Sequence, residues 1–395
     1  MPSLNRIRIA AKQRVSGNGG SPKKVRNGDN KNGKSVDANG DGLPGRRPTM
    51  TDVARLAGVS QSSVSLVLNQ MTGARISEST RERVVKAAGD LGYALPHERR
   101  IERQSETKNT IAVVIDEIST SPHPVVSLDG IRDLAWEAGY LVASHATRSN
   151  PDLEAATLEA VGRDPSIVGL IYATIFTREI KLPNFPKDMP YVLLNCYASE
   201  RQTVSIVPAE VAGGFNATDY LIKQGHQRIA FINGEPWMDA ATERLKGYRQ
   251  ALATHDIPFD ADLVRDGDWL PLKGYQMARE LLGARKKPDA ILCANDLMAI
   301  GAMEAATEMG LSIPDDISIM GYDDQELARY THPPLTTLVL PNYEMGRQAA
   351  QILIDMITAG RPLRNGLIKI DGPVIERGSV AVNKKRNLAK KQAMT

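Results

Sequence analysis

The chain has 395 residues, 42% hydrophobic and 24% charged, an ordinary globular composition with room for two or three domains. No apolar run approaches the ~18 residues of a membrane span, and no apolar core follows the basic first thirty residues, so neither a membrane protein nor a secretory signal is expected. The net charge of +3 hides an asymmetry: residues 1–104 hold 19 Lys+Arg against 9 Asp+Glu, residues 105–376 hold 24 against 37, and residues 377–395 hold 6 against none. A basic section on an acidic body points to a polyanion partner at one end only. The two cysteines, Cys196 and Cys293, both lie in apolar runs and read as small buried thiols, which fits a reducing cytoplasm.

Residues 1–47 are rich in Gly, Asn, Lys and Arg and show no periodicity, so they read as a disordered basic extension. Two motif matches there lack the context their chemistry needs. GDNKNGKS (28–35) fits a phosphate-binding loop, but no strand leads into it and no helix leads out. DANGDG (37–42) opens like a calcium loop, but Pro48 stands where a bidentate Glu is required.

Residues 48–95 change character. TMTDVARLAG places Val53, Leu56 and Ala57 at helical spacing, with Thr49 or Thr51 as a possible cap and Gly58 as the break. Ser60 can cap a second helix, QSSVSLVLN, with Val64, Val67 and Leu68 inward. A third, SESTRERVVKAAGDLG, turns Val84, Val85, Ala88 and Leu91 to the same core. Two short helices about a glycine turn, closed by a third, make a helix-turn-helix. Residues 96–110 are polar and charged, a hinge or linker.

From residue 111 apolar runs alternate with helical segments. IAVVI, LVASHA, IVGLIYA, YVLLNC, RIAFING, AILCA and ISIMGY read as buried parallel strands, and Gly139, Gly225 and Gly310 end helices just before the next strand. Repeated βα units build a doubly wound parallel sheet that binds ligands at its strands' carboxyl ends. A core of residues 111–376 is long for one sheet, so two lobes are expected, followed by a basic tail over 377–395.

TDVARLAGVSQSSVSLVLN, TRERVVKAAGDLGY, GHQRIAFING, ERLKGYRQAL, CANDLMAIGAMEAATEMGLSIPDDISIMGYDD and PPLTTLVLP resemble the LacI/GalR transcription regulators from about Thr49 to about Ile375. The resemblance implies a small all-α helix-turn-helix domain joined to a two-lobed, periplasmic-binding-protein-like α/β core. It also implies a repressor on palindromic double-stranded operator DNA, acting as a homodimer or homotetramer, with a sugar as small-molecule effector.

Residue by residue, Ser60, Gln61, Ser62, Ser63 and Ser65 match the family's base-contacting positions. Gln can bond adenine in bidentate fashion, and Ser can donate or accept at either base pair. Thr49, Thr51 and Asn69 match positions that touch phosphate or neighbouring bases. Leu66 stands where the family often has Arg, the main reader of guanine, which puts the usual operator sequence in doubt. The hinge LPHERRIER departs further. Either Ile101 wedges into the minor groove, or the segment is a plain charged linker, or it is a hinge meeting phosphate through Arg99, Arg100 and Arg103.

In the core the resemblance assigns Arg244, Trp269, Asn295 and Asp323 to the ligand, with Asn195 reaching in from the first lobe. Forked bonds from Asp, Asn and Arg to hydroxyl pairs, and an aromatic plate under a C–H face, suit a sugar. Pro208-Ala209 replace the family's frequent Asp-Asn, and Trp237 and Met238 replace small residues. His123 and His145 read as surface or core histidines with no metal role. No metal, cofactor or catalytic residue is expected: G-x-S-x-G, H-E-x-x-H and a supported nucleotide loop are all missing, which disfavours an α/β enzyme. A periplasmic sugar-binding protein would lack the helix-turn-helix, and an activator with a non-sugar effector is the remaining alternative.

Overall fold

The computed structural model describes residues 48–68, 76–91, 93, 109–199, 203–360 and 366–383. The extension over 1–47, Asn69, the hinge residues Arg99 and Ile101, and the tail from 384 lie outside the described residues.

Three short helices open the described chain: α1 (Met50–Ala57), α2 (Gln61–Leu68) and α3 (Glu78–Asp90). Thr49 caps α1 in a capping box: the Asp52 amide donates to Thr49 Oγ1 at 3.3 Å, and the Thr49 amide donates to Asp52 Oδ2 at 2.9 Å. Gly58 ends the helix at φ 65°, a left-handed backbone that glycine adopts without a Cβ penalty. Ser60 then caps α2, accepting from the Ser63 amide at 3.0 Å. Met50, Val53, Ala57, Val64, Val67 and Val84 share one small core. Leu56 and Val85, expected inward, are exposed, and Ala87 faces the core in place of Val85. Both misplacements come from 3.6-residue spacing, which fixes a face only to within about one position on so short a helix.

The core has two six-stranded sheets. The first runs β11-β5-β4-β3-β1-β2 and is parallel throughout. It uses β1 (Thr110–Ile115), β2 (Leu141–Ala146), β3 (Ile167–Glu179), β4 (Tyr191–Tyr197), β5 (Val204–Pro208) and β11 (Gly366–Ile370). The second runs β12-β10-β9-β8-β6-β7, with β6 (Ile229–Asn233), β7 (Val264–Asp266), β8 (Ala290–Cys293), β9 (Ser318–Asp323), β10 (Thr336–Val339) and an antiparallel β12 (Val374–Ile375). Between strands lie α4 (His123–Glu137), α5 (Pro151–Arg163), α6 (Glu210–Lys223), α7 (Asp239–Thr254), α8 (Pro271–Gly283), α9 (Asp296–Glu308) and α10 (Asn342–Ala359). Gly139, Gly225 and Gly310 all take positive φ at helix ends, as their place before a strand requires.

The chain crosses between lobes after β5, after β10 and after β11, so each lobe is assembled from distant segments. β2 corrects its expected burial: it is an edge strand with a largely exposed face. Residues 377–383, expected in the tail, pack into the second lobe. The buried Ser379 hydroxyl donates to Ile319 O at 2.6 Å, and the Asn383 amide donates to Gln224 O at 2.8 Å. Among the described residues no helix is long and apolar enough to cross a membrane.

The α4–α10 layer of the first lobe carries a buried titratable group. Asp133 accepts from Tyr343 Oη at 2.8 Å, yet burial pushes its carboxyl up to about 6. A folded-state pKa above the unfolded one contributes stability below the unfolded value that is lost as pH rises through about 6. Asp133→Asn keeps an acceptor for Tyr343 and removes the charge. It is expected to raise stability at pH 7.5 by on the order of 2 kcal/mol and to change little at pH 4. Chemical denaturation of both proteins across that range checks this; equal gains at both ends would refute it.

Candidate functional site: a DNA reader and an interlobe cleft

At the reader, α2 presents its first turn as a serine-rich polar face. Ser60 is buried as the cap, with Ser63 Oγ at 2.7 Å and Ser62 Oγ at 3.0 Å from its hydroxyl. Ser62 is exposed, while Gln61, Ser63 and Ser65 are half-buried. Gln61 Nε2 has no hydrogen-bond partner among the described residues. Thr49 is buried in its capping box and Thr51 lies half-buried in the first turn of α1.

The second site lies at the carboxyl ends of the strands, where two βα series face each other. Asp323 ends β9 at φ 109°, Trp269 sits in the loop after β7 at φ 68°, and Asn195 lies in β4 at φ 59°. Backbones this unfavourable for non-glycine residues collect where a fold holds side chains for binding.

Arg244, on α7, is 3% exposed and organises the second-lobe wall. Its Nε and one Nη donate to the two carboxylate oxygens of Glu210, at 2.6 and 2.9 Å, and the other Nη donates to Ala294 O. That same Nη lies 3.8 Å from Asp323 Oδ1. The guanidinium stacks 3.7 Å over the Tyr322 ring and 5.6 Å from Trp269, and Tyr322 Oη donates to Glu210 at 3.1 Å. Burial opposes the charge on Arg244, but Glu210 outweighs it and the guanidinium stays cationic. Glycine permits this geometry. A Cβ on Gly247 would stand 2.1 Å from Val211 O, and one on Gly214 2.3 Å from Arg244 O, so only glycine lets α6 and α7 cross closely enough for the pair to meet.

Asn295 caps α9, accepting from the Met298 amide at 2.9 Å, and its Nδ2 donates to Trp269 O at 2.9 Å. The Trp269 ring lies against Gly234, where a Cβ would come within 1.8 Å of it. Asp296 is fully buried, and burial beside Asp323 pushes its carboxyl well up while Thr337 Oγ1 and the Gln325 amide donate to it.

The first-lobe wall holds Asp116 at the end of β1, accepting from the Ile175 amide and from Arg178, both at 2.8 Å. Asn195 accepts from Thr177 Oγ1 at 2.6 Å and donates to Thr174 O at 3.0 Å. Several contacts bridge the lobes. His123 Nε2 lies 3.4 Å from Asp323 Oδ2, Tyr197 Oη donates to Asp239 at 2.8 Å, and the Phe176 and Trp237 rings meet edge to face at 5.6 Å.

Arg244, Trp269, Asn295 and Asp323 thus come together, with Asn195 on the other lobe. Reading the sequence missed Glu210, Tyr322, Asp116 and Arg178, and gave His123 no part in the cleft. The acidic start of α6 was a visible signal for Glu210; its partner was not.

A three-helix DNA reader carried with a two-lobed binding core defines a ligand-controlled DNA-binding regulator. Residues 49–95 match the bacterial regulatory proteins of the lacI family, and residues 218–380 a periplasmic binding protein-like domain. The transcriptional repressor PurR of Vibrio campbellii (strain ATCC BAA-1116) is 33% identical over 310 residues, which cover 78% of this chain and 92% of that protein. The Lac repressor dimer bound to operator and the anti-inducer ONPF aligns with a TM-score of 0.59 at 28% identity, over 85% of this chain and 100% of that one. The transcriptional regulator CelR in complex with cellobiose aligns with a TM-score of 0.57 at 28% identity, over 84% and 100%. The chain belongs to the lacI family of bacterial regulators: it is a DNA-binding transcription regulator whose core responds to a small molecule.

Proposed function

We propose that the protein is a cytoplasmic repressor, without catalytic activity, that holds a twofold-symmetric operator as a homodimer or homotetramer and changes affinity when a sugar binds between its lobes. The observation that carries the sugar is the buried Asp323 carboxylate. It lies beside Arg244 and Trp269 on its own lobe and meets His123 of the other, a set suited to a hydroxyl pair and an apolar ring face. The cellobiose complex of CelR supports the same class. Arg244, Trp269, Asn295, Asp323 and Asn195 are the proposed ligand residues. A thermal-shift screen of mono- and disaccharides tests this, since a ligand that binds only the folded protein raises its Tm. A hit must also change operator affinity; a panel that moves neither Tm nor operator binding removes the sugar.

At the reader, Thr49, Thr51, Ser60, Gln61, Ser62, Ser63, Ser65 and Asn69 are the proposed DNA contacts, with Arg99 and Ile101 from the hinge. Gln61 opens α2, and its Nε2 is buried without a hydrogen-bond partner among the described residues, so a base contact requires this side chain to turn outward on binding. Gln61→Ala is expected to leave folding intact and to flatten preference at one base pair per half-site by about 1–3 kcal/mol. Affinities for the operator and for single-base variants of it check this; a uniform loss across all sequences would make Gln61 a backbone contact instead.

A further inference from the structure

We propose that Glu210 is a specificity determinant of the cleft: by closing Arg244 into a buried ion pair it refuses anionic effectors and selects an uncharged polyhydroxyl one. This rests on the cleft being the effector site and narrows the chemical class it accepts.

Arg244 is the cation that an incoming carboxylate or phosphate would seek. Its Nε–H and one Nη–H are already spent on Glu210 in the two-pronged geometry that phosphate itself prefers, and a further Nη–H on Ala294 O. Glu210 is 4% exposed, and among the described residues its carboxylate accepts from Arg244 and the Tyr322 hydroxyl, so an anion that drew Arg244 away would strand a buried carboxylate. On the first-lobe wall Arg178 is likewise held by Asp116. With both arginines paired, Asp323 adds a carboxylate to the same wall as Arg244, 3.4 Å from His123 Nε2. An anion would meet this carboxylate, whose nearest arginine, the Arg244 Nη 3.8 Å away, is already committed to Glu210 through its other nitrogens. A neutral polyol brings hydroxyl donors to it and breaks no pair. Glu210 therefore acts through Arg244, as a positioning residue.

The test uses the full-length protein and its Glu210→Gln and Glu210→Ala variants at constant ionic strength. The probes are inorganic phosphate, sodium acetate, glucose and ribose, and glucose 6-phosphate and ribose 5-phosphate. The wild type is expected to bind no phosphorylated sugar more tightly than its unphosphorylated counterpart, and its Tm should be indifferent to phosphate. Glu210→Gln should gain at least tenfold in phosphate affinity. Glu210→Ala should melt lower and recover with acetate but not with equal chloride, a rescue that lost packing alone would not show. A phosphorylated sugar that binds the wild type tenfold better than the free sugar overturns the proposal, as does a folded Glu210 variant with no gain for any anion. If neither variant folds, the wild-type comparison decides alone. The two readings separate cleanly. An anion that releases operator leaves the regulator intact and sinks the selection of neutral ligands; acetate rescue with no small molecule affecting operator sinks the effector site and keeps the clamp.

Discussion

Replacing Arg244 by Met is expected to destabilise the protein by about 3–5 kcal/mol, because it leaves the Glu210 carboxylate buried without its partner. Read only as a ligand residue, Arg244 would be dispensable to the fold. The geometry makes it structural as well, since it ties α7 to the start of α6 and to Ala294 after β8. The double change Arg244→Met, Glu210→Gln should recover much of the loss, as neighbouring members of one network are not additive. Urea unfolding of the two single variants and the double variant measures the coupling. A single change costing under about 1 kcal/mol would mean that water reaches Glu210 and compensates it.

Asp323→Asn carries the second large effect, on response and not on folding. The side chain keeps its shape and its acceptor for Gln325 Nε2, now 3.1 Å away, but loses the charge that strengthens bonds to ligand hydroxyls. A charge-assisted bond is worth roughly 1.5–3 kcal/mol, so the effector midpoint should move by about 10–100-fold. Operator affinity without effector should change less than the midpoint, by what the His123–Asp323 contact contributes to the balance of lobe arrangements. An effector shifts the equilibrium only by its differential affinity for two lobe arrangements, and both arrangements persist in the variant. Operator binding followed against effector concentration tests this; an unmoved midpoint would take Asp323 out of the site.

Much of the architecture was legible in the sequence because its signals are local. The Thr49 and Ser60 caps, the glycine break at Gly58, the apolar runs of β1, β3, β4, β6, β8 and β9, and the glycines ahead of β2, β6 and the loop leading to β9 each depend on a few neighbouring residues. The short strands β5, β7, β10, β11 and β12 escaped: β6 and β8 are also short, but they form continuous apolar runs, whereas polar residues or mere length leave the others without one. Asp323, Asn295 and Asn195 could be proposed for a ligand because they lie at or just after the ends of β9, β8 and β4, which show in the pattern, whereas Trp269 follows β7, which does not.

What the sequence alone determined, then, is the order of helices and most strands, and with it which strand ends could carry a site. What the side chains do there was decided by tertiary structure. Arg244 and Glu210 are 34 residues apart and meet only where Gly214 and Gly247 let two helices touch. His123 meets Asp323 only because the chain crosses between lobes and returns. A charge in a sequence carries no direction. Its partner is chosen by helix crossings and sheet order, and burial then decides whether that charge is free for a ligand or already spent.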